Sequence, residues 1–253
     1  MKRVTIASNM FNERDQIQSW LQNMLQIADG GIVIVDNGST DGTLEYLKEF
    51  GAAFIVTENI DKEKFGYLAG PGPRNNIVVV LDNIILREGY GPARNHLRDC
   101  AKIYFNSHWC CYFDADERIS EKDFHAFRFL KDNLIDEYDV LAFPRINWNN
   151  TEMTSAKTDV FLAPDFQARM TRLNSPLKYV RKLHEQIKGC NKIHTEITSP
   201  KINHFHRATD SKKRDYIGKV CAKLHQEDNE YGDTYPLHHK EQHYRDLLEK
   251  EGL

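Results

Sequence analysis

The sequence predicts an α/β fold in which a mostly parallel central sheet is flanked by helices and followed by a more irregular C-terminal half. Apolar β-rich runs alternate with helical periodicity through the first half of the 253 residues, and this order favours parallel strands joined by crossover helices. The run at residues 109–113 is almost wholly apolar, which is typical of a strand buried on both faces. After Leu134 the alternation gives way to polar and aromatic segments.

The first strands and helices follow one another closely along the chain. Residues 4–8 form a short β-rich run, and residues 17–28 carry apolar side chains at i, i+3, i+4 and i+7 spacing, which predicts a helix. Residues 32–35 form the second strand. The turn at 36–43 is rich in Asp, Ser and Thr, which favour the start of a second helix. Residues 53–57 then complete a β-α-β-α-β unit.

The segment from 59 to 90 is longer than a simple connection. Glycines and prolines at 66–73 predict a loop, and residues 77–86 predict another strand or a segment lying over the site. Pro92 is a suitable first-turn residue for the next helix. The strand at 109–113 follows, and Ser120-Glu121-Lys122-Asp123 resembles a capping box that opens another helix.

The second half has fewer regular signals. Residues 140–143 predict a strand, irregular segments continue to about residue 208, and the chain is charged and helix-prone from Lys212 onward. No linker or internal repeat divides it. We therefore expect a single domain over residues 1–253.

Composition excludes several classes of protein. The net charge is −3, with 40% hydrophobic and 28% charged residues, so the basic surface typical of nucleic-acid binders is absent. No apolar run reaches the length of a membrane span, and the N-terminus lacks the apolar region of a signal peptide. The five cysteines are odd in number and include the adjacent pair Cys110 and Cys111 in an apolar run, which indicates reduced thiols. We infer a cytosolic or cytosol-facing protein.

Two carboxylates, Asp114 and Asp116, follow the buried strand at 109–113. Ligands bind at the carboxyl ends of strands in open α/β sheets. Neighbouring anions repel each other unless a cation relieves them, and Mg²⁺ or Mn²⁺ is typically held by one or two carboxylates with water and substrate phosphate. The pair therefore indicates a metal site. The alternative is a solvated acidic turn.

Other polar residues are expected at the same edge of the sheet. Asp36 ends the second strand, where a carboxylate can accept hydrogen bonds from a nucleoside, or can simply build the turn. Asn12 and Glu13 follow the first strand and alternatively occupy the start of a helix. Arg94 lies in a first helical turn, where it can pair with a phosphate, with the acidic cluster, or with a surface carboxylate.

Taken together, these motifs resemble glycosyltransferase family 2 and related proteins with the GT-A fold. The resemblance rests on Asn12-Glu13 after the first strand, on the turn Asp36-Asn37-Gly38-Ser39-Thr40-Asp41-Gly42-Thr43, on Ala93-Arg94-Asn95 at a helix start, and on Asp114-Ala115-Asp116-Glu117 after a strand. These four motifs occur in the family's order. The second half matches loosely, through His184-Glu185 and Asn203-His204-Phe205-His206.

The resemblance implies a nucleoside-diphosphate-sugar donor, with UDP-sugar favoured, and a glycan or glycoconjugate acceptor. Residues 1–117 would bind the donor, and residues 118–253 would bind the acceptor and supply the C-terminal helices. Asp36 would contact the base, Asp114 the ribose or a metal-bound water, and Asp116 an Mn²⁺ or Mg²⁺ ion. His204 or His206 would be a further metal ligand, with strand packing as the alternative.

The same resemblance implies inversion at the anomeric carbon, which requires a base for the acceptor hydroxyl. Glu185 is the first candidate, although an ion pair with Arg181 or Lys182 is the alternative. Asp165 is the second candidate and Asp159 the third. Trp148, Tyr179 and Trp109 are aromatic candidates for stacking on a sugar, and Trp109 more readily fits a core.

The chain also departs from the family pattern. Asn37 stands where many members have a second Asp, and the motifs of processive polysaccharide synthases are missing, which favours transfer of a single sugar.

Three rival functions were weighed. A sugar-phosphate nucleotidyltransferase would have a glycine-rich loop after the first strand, but residues 9–14 contain no glycine. A phosphohydrolase with an aspartate nucleophile would place its acidic pair after the first strand. The third rival is a non-catalytic module that binds a nucleotide or a glycan, and the presence of both Asp114 and Asp116 argues against it.

Overall fold

A computed structural model describes residues 2–68, 76–134, 137–150, 152–156, 165–205 and 211–227. The described strands are β1 Val4–Met10, β2 Gly31–Asp36, β3 Ala53–Val56, β4 Ile77–Leu81, β5 Trp109–Tyr112, β6 Glu117–Ile119, β7 Val140–Asn147, β8 Asp165–Arg172, β9 Lys178–Val180, β10 Gln186–Lys188, β11 Ile193–His194 and β12 Ile202–His204. The helices are α1 Arg14–Met24, α2 Thr43–Glu49, α3 Lys62–Phe65, α4 Ile84–Glu88, α5 Tyr90–Tyr104, α6 Phe124–Asn133 and α7 Ser211–Glu227. Two 3₁₀ turns, Gly66–Leu68 and Glu121–Asp123, complete the elements.

Within this described part, one large sheet runs through both halves of the chain in the order β3-β4-β2-β1-β5-β8-β7-β12-β6, with β11 paired to β7. Strands β3, β4, β2, β1 and β5 are mutually parallel. Strand β8 is inserted antiparallel between β5 and β7. The predicted fold class, a mostly parallel sheet flanked by helices, is confirmed.

The sheet is covered on both faces, and two of its strands, β4 and β5, are apolar at every position. In β2, Ile32 and Ile34 belong to one core cluster together with side chains of α1, α2 and α6, while Val33 and Val35 belong to a second cluster with side chains of α5. Every residue of β5 is also fully buried, as its apolar sequence predicts. A strand without a solvated face has to be central, and β5 lies between β1 and β8.

Three predicted boundaries differ in the structure. Residues 77–86 divide into β4 and α4, because the polar pair Asp82-Asn83 interrupts the apolar run. Helix α5 begins at Tyr90, two residues before Pro92, after Gly89 with a φ of 95°. The predicted capping box is wrong: Ser120 makes no side-chain cap bond, and its Oγ accepts a hydrogen bond from Asn203 Nδ2 at 3.0 Å.

Other expectations concern the membrane and the thiols. None of the helices in the described ranges is long and apolar enough to cross a membrane. Cys100, Cys110 and Cys111 are buried thiols outside any disulfide. The loop predicted at 66–73 lies partly, and the chain beyond residue 227 wholly, outside the described residues.

Candidate functional site

The turn after β2 is held together by Asp36. Its carboxylate is fully buried and accepts hydrogen bonds from Gly38 N at 3.0 Å, Ser39 N at 2.8 Å and Ser39 Oγ at 2.7 Å. Gly38 adopts a φ of 92°, which favours glycine. Burial raises the pKa of Asp36 to about 6, against these hydrogen bonds. The turn-building role is shown, while contact with a donor base stays a prediction.

Asn12 ties the loop after β1 to this turn. Its backbone N–H donates to Ser39 Oγ and its Oδ1 accepts from Thr40 N, both at 2.8 Å. Glu13 lies nearby and forms an ion pair with Lys213 of α7. Burial raises the pKa of Glu13 to about 7, and Lys213 opposes this shift. Two loops and one helix are thus joined at the edge of the sheet.

Two arginines surround the first carboxylate of the acidic pair: Arg94, for which the sequence indicated such a pairing, and Arg169, which it did not indicate. Arg169 Nη2 lies 2.9 Å from Asp114 Oδ2 and also contacts the fully buried Glu117. Arg94 Nη2 lies 3.8 Å from Asp114 Oδ1. Burial would raise the pKa of Asp114, but Arg169 and Arg94 outweigh it and hold that pKa well below its usual range. The cations that stabilise Asp114 are therefore arginines, which corrects the argument that repulsion here requires a metal.

The second carboxylate faces a histidine. Asp116 Oδ2 lies 3.3 Å from His204 Nε2, and His204 Nδ1 lies 2.6 Å from Asn147 Oδ1. Because the Asn147 oxygen can only accept, this contact requires a proton on His204 Nδ1. His206, the other histidine predicted as a ligand, lies outside the described residues.

Glu185 lies beside the same arginine as Asp114. Arg94 Nε donates to Glu185 Oε1 at 2.8 Å, so the ion-pair partner is Arg94 and not the predicted Arg181 or Lys182. Lys182 instead pairs with Glu227. Burial would raise the pKa of Glu185, but Arg94 outweighs it and lowers that pKa. Glu185 is therefore a carboxylate at neutral pH.

The second base candidate, Asp165, lies in an ion pair outside the main cleft, and its role as a base stays a prediction. The Asp165 carboxylate is bonded to Arg145 and Gln167, with Asn147 at 3.3 Å. Burial is outweighed by these donors, chiefly Arg145, which lower the pKa of Asp165. Asp165 does not line the cleft described next. The third candidate, Asp159, lies outside the described residues.

A cleft of about 1110 Å³ opens at the carboxyl ends of β1, β2 and β5. Its wall includes six of the residues predicted from the sequence: Glu13, Arg94, Asp114, Asp116, Glu185 and His204. Helix α7 forms another side of it through Lys213, Tyr216 and Ile217. Asn12 and Asp36 do not line the cleft. They instead hold the turn after β2 through their hydrogen bonds to Ser39 and Thr40.

The three aromatic candidates have different surroundings. Tyr179 lines the cleft and packs edge-to-face on Tyr112, with ring centroids 5.5 Å apart. Trp109 is fully buried and donates from Nε1 to Lys131 O, which makes it a core residue. Trp148 donates from Nε1 to Asn203 Oδ1 and is absent from the cleft.

The donor set allows a cation only in combination with a substrate. Across the described ranges no cluster of three or more His, Cys, Asp or Glu residues could hold a metal ion. Asp116 and His204 nevertheless offer one oxygen and one nitrogen ligand, and Asn147 orients the imidazole in the way outer partners of metal-binding histidines do. Two protein ligands fit an ion that completes its coordination with water and substrate phosphate.

Comparison with known proteins identifies the fold. No family model and no curated protein sequence matches the chain. Among solved structures, S. aureus TarS matches with a TM-score of 0.50 and 15% identity, over 99% of this chain and 42% of that one. TarS residues 1–349 match with TM-scores of 0.49, at 15% identity alone and at 16% in complex with UDP-GlcNAc; the match covers 98% and 99% of this chain and 69% and 71% of theirs. The chain thus spans less than half of the first of these structures and has the GT-A fold that its motifs predict.

Proposed function

We propose that this protein is a glycosyltransferase that moves one sugar from a nucleoside-diphosphate sugar, with UDP-sugar preferred, to a glycan or glycoconjugate. The observation that carries the proposal is the joint placement of Asp116, His204, Arg94 and Glu185 around one cleft at the carboxyl edge of a GT-A sheet. A volume of about 1110 Å³ exceeds what a drug-sized ligand needs and suits a nucleotide sugar with part of an acceptor.

The leaving diphosphate is the group most in need of stabilisation. Asp116 and His204 would hold an Mn²⁺ or Mg²⁺ ion there, and an imidazole ligand favours Mn²⁺. When bound, such an ion supplies Lewis-acid stabilisation of the diphosphate. Arg94 adds a fixed guanidinium at the same cleft, 12% exposed and placed over the Tyr112 ring. Water exclusion around it strengthens its field on a phosphate.

The acceptor hydroxyl must lose a proton as it attacks the anomeric carbon. Glu185 is assigned as the general base, because it lines the cleft and its pKa is lowered by Arg94, so that it is ionised before substrate binds. The proton moves from the hydroxyl to a Glu185 carboxylate oxygen, and the diphosphate departs with the electron pair of the broken bond. Direct displacement of this kind inverts the anomeric centre.

The proposal is tested by screening nucleoside diphosphates in thermal shift, with and without Mn²⁺. Wild type is compared with Asp116→Ala and with the control Asp99→Ala, an exposed carboxylate on α5 outside the cleft. A ligand at a hundredfold excess over its dissociation constant stabilises by about 2.7 kcal/mol, or roughly 5–10 °C for a chain of this size.

We expect one nucleotide to stabilise the wild type and Asp99→Ala only with Mn²⁺, and Asp116→Ala to abolish the shift. Metal-independent stabilisation of all three proteins would reject the metal and keep a nucleotide site. If no nucleotide stabilises the wild type under either condition, the glycosyltransferase assignment is wrong.

A further inference from the structure

A second cleft, of about 730 Å³, lies against α1 and shares no lining residue with the candidate active site. Its wall is formed by Gln16, Ser19, Gln22, Asn23, Gln26, Arg118, Glu121, Phe124 and Phe205. None of these residues has a role in the proposed transfer reaction. The chemistry of this wall indicates which class of ligand it fits.

One side of the cleft is a stripe of uncharged amides. Gln16, Ser19, Asn23 and Gln26 recur at helical spacing along α1 and the turn after it, with Gln22 beside them. Ser19, Gln22 and Gln26 are exposed. Exposed helix faces are usually charged, whereas amide side chains both donate and accept hydrogen bonds, as sugar hydroxyls do.

The floor of the cleft is held rigidly by bonds to β6. Arg118 Nη1 donates to Ala115 O and Glu117 O, and its Nη2 donates to Gln16 and Ser19. Asn23 bonds both the N–H and the C=O of Ile119, at 2.9 and 2.8 Å. The orientation of the floor is therefore set before any ligand arrives.

The same bonds argue against an anionic ligand. The Arg118 guanidinium already donates to protein oxygens on both terminal nitrogens, and burial lowers its pKa to about 10. The remaining charged residue of the wall is the exposed Glu121, which would repel an anion. The terminal nitrogens of Arg118 are thus committed to protein oxygens, and the other charged side chain of this wall is an anion, so the wall is poorly suited to a phosphate or sulfate group.

Two aromatic rings complete the wall. Phe124 and Phe205 are partly exposed, and an aromatic face beside amide groups suits a pyranose ring, which has apolar C–H faces and a polar rim. Phe205 also links the two clefts, because its N–H donates to Asp116 O at 3.0 Å and it follows His204 directly in the chain. Through Phe205 the second cleft is therefore connected to His204, at the end of β12, and to Asp116, just before β6.

We propose that this second cleft binds a neutral oligosaccharide, as the site for a part of the acceptor glycan remote from the reacting hydroxyl. This inference rests on the proposed function for the identity of the glycan as acceptor. Binding energy from such a remote segment helps to position the acceptor in the active cleft.

The test measures retention on a panel of immobilised neutral oligosaccharides, without nucleotide. The variant Gln22→Ala/Gln26→Ala removes two exposed amides of the cleft, and Gln18→Ala is the matched control, an exposed glutamine of α1 outside it. Asp116→Ala reports on the active cleft. All the glutamines are at the surface, so the fold is expected to be unchanged.

We expect at least one neutral oligosaccharide to bind wild type, Gln18→Ala and Asp116→Ala equally, and the double variant to bind it at least tenfold more weakly. Failure of the wild type to bind any member of the panel overturns the proposal, as does equal binding by the double variant. Loss of binding in Asp116→Ala alone would assign the glycan to the active cleft instead. Nucleotide-induced thermal shifts of the double variant test the donor site separately, so the two proposals fail independently.

Discussion

At the scale of single residues, Arg94 connects two carboxylates that line the cleft, the proposed base Glu185 and Asp114. Its Nε bonds Glu185 and its Nη2 faces Asp114. The guanidinium therefore keeps the proposed base ionised, and it also lies beside Asp114, which follows β5. Substitutions can distinguish the two roles. In the proposed reaction Glu185 accepts the proton of the acceptor hydroxyl, whereas Arg94 lowers the pKa of Glu185.

Glu185→Gln is expected to lower kcat by roughly 10²–10⁴-fold, the usual contribution of a positioned base, since the amide cannot accept the hydroxyl proton. Nucleotide binding in thermal shift should remain within a few-fold of wild type. The matched control is Asp165→Asn, which changes a carboxylate held by Arg145 outside the cleft. A loss of kcat in Asp165→Asn as large as that in Glu185→Gln would contradict the assignment of the base.

Arg94→Met keeps much of the side chain's packing on Tyr112 and removes its charge. Without the guanidinium, burial is left to raise the pKa of Glu185. The acidic limb of the kcat profile, where Glu185 becomes protonated, should therefore move to higher pH. The measurement is kcat against pH for both proteins at saturating substrate. An unchanged limb would show that a group other than Glu185 titrates in it.

The residues of the site differ in how far sequence reasoning can find them. Asp114, Asp116 and Glu13 follow parallel strands, and the carboxyl ends of such strands meet at one edge, so local sequence suffices to bring them together. Arg169 is 55 residues from Asp114 in the chain. It reaches the site because β8 pairs antiparallel with β5. No local sequence motif predicts this long-range pairing. The sequence signal that could have indicated Arg169 is a charged residue between Ala168 and Met170 in a run that resembles a strand.

At the scale of elements, α7 is anchored to the rest of the protein at the mouth of the active cleft. Lys213 pairs with Glu13, and Tyr216 stacks on Phe11 with ring centroids 4.6 Å apart. Val220 and Leu224 pack with Leu183 in a small buried cluster. The contacts with Glu13 and Phe11 join this helix to the loop after β1.

Lys213→Met is expected to loosen α7 selectively, because it leaves the buried Glu13 carboxylate without its cation. Removing one partner of such a pair costs about 1–3 kcal/mol, enough to raise amide hydrogen exchange in α7 roughly tenfold while exchange in β1 and β5 is unchanged. Lys223→Met, on an exposed position of the same helix, serves as the control. Equal acceleration in both variants would mean that the Glu13 ion pair does not hold the helix.

The elements of the first half are predictable because each apolar run is followed closely by a helix of clear periodicity. In the second half, strand order departs from chain order. β8 lies between β5 and β7, and β12 lies between β7 and β6. These strands are short or carry charged residues on partly exposed positions. Their pairing depends on side chains that meet only in the folded sheet, so hydrophobic periodicity is too weak a signal to order them.

At the scale of the whole molecule, charged groups buried at the edge of the sheet determine how stability depends on pH. Burial raises the pKa of Asp36 to about 6 and that of Glu13 to about 7. The folded protein therefore binds more protons than the unfolded chain between about pH 4 and 7. The free energy of unfolding should fall as pH rises through this window. Below it, the lowered pKa values of Asp139, Asp165 and Glu185 reverse the trend, because their ion pairs are lost on protonation.

Asp36→Asn isolates the contribution of the fully buried Asp36 carboxyl to this slope. The amide oxygen can still accept from the Gly38 and Ser39 N–H groups, but position 36 no longer titrates. A rise in pKa of about two units corresponds to about 3 kcal/mol, so the variant's free energy of unfolding should decline less steeply than that of wild type between pH 4 and 6. Urea unfolding at several pH values measures both curves, and Asp15→Asn, an exposed carboxylate of α1, should follow the wild-type curve. Parallel curves for wild type and Asp36→Asn would show that Asp36 is ionised in the folded state throughout this range, and that the hydrogen bonds of its turn outweigh its burial.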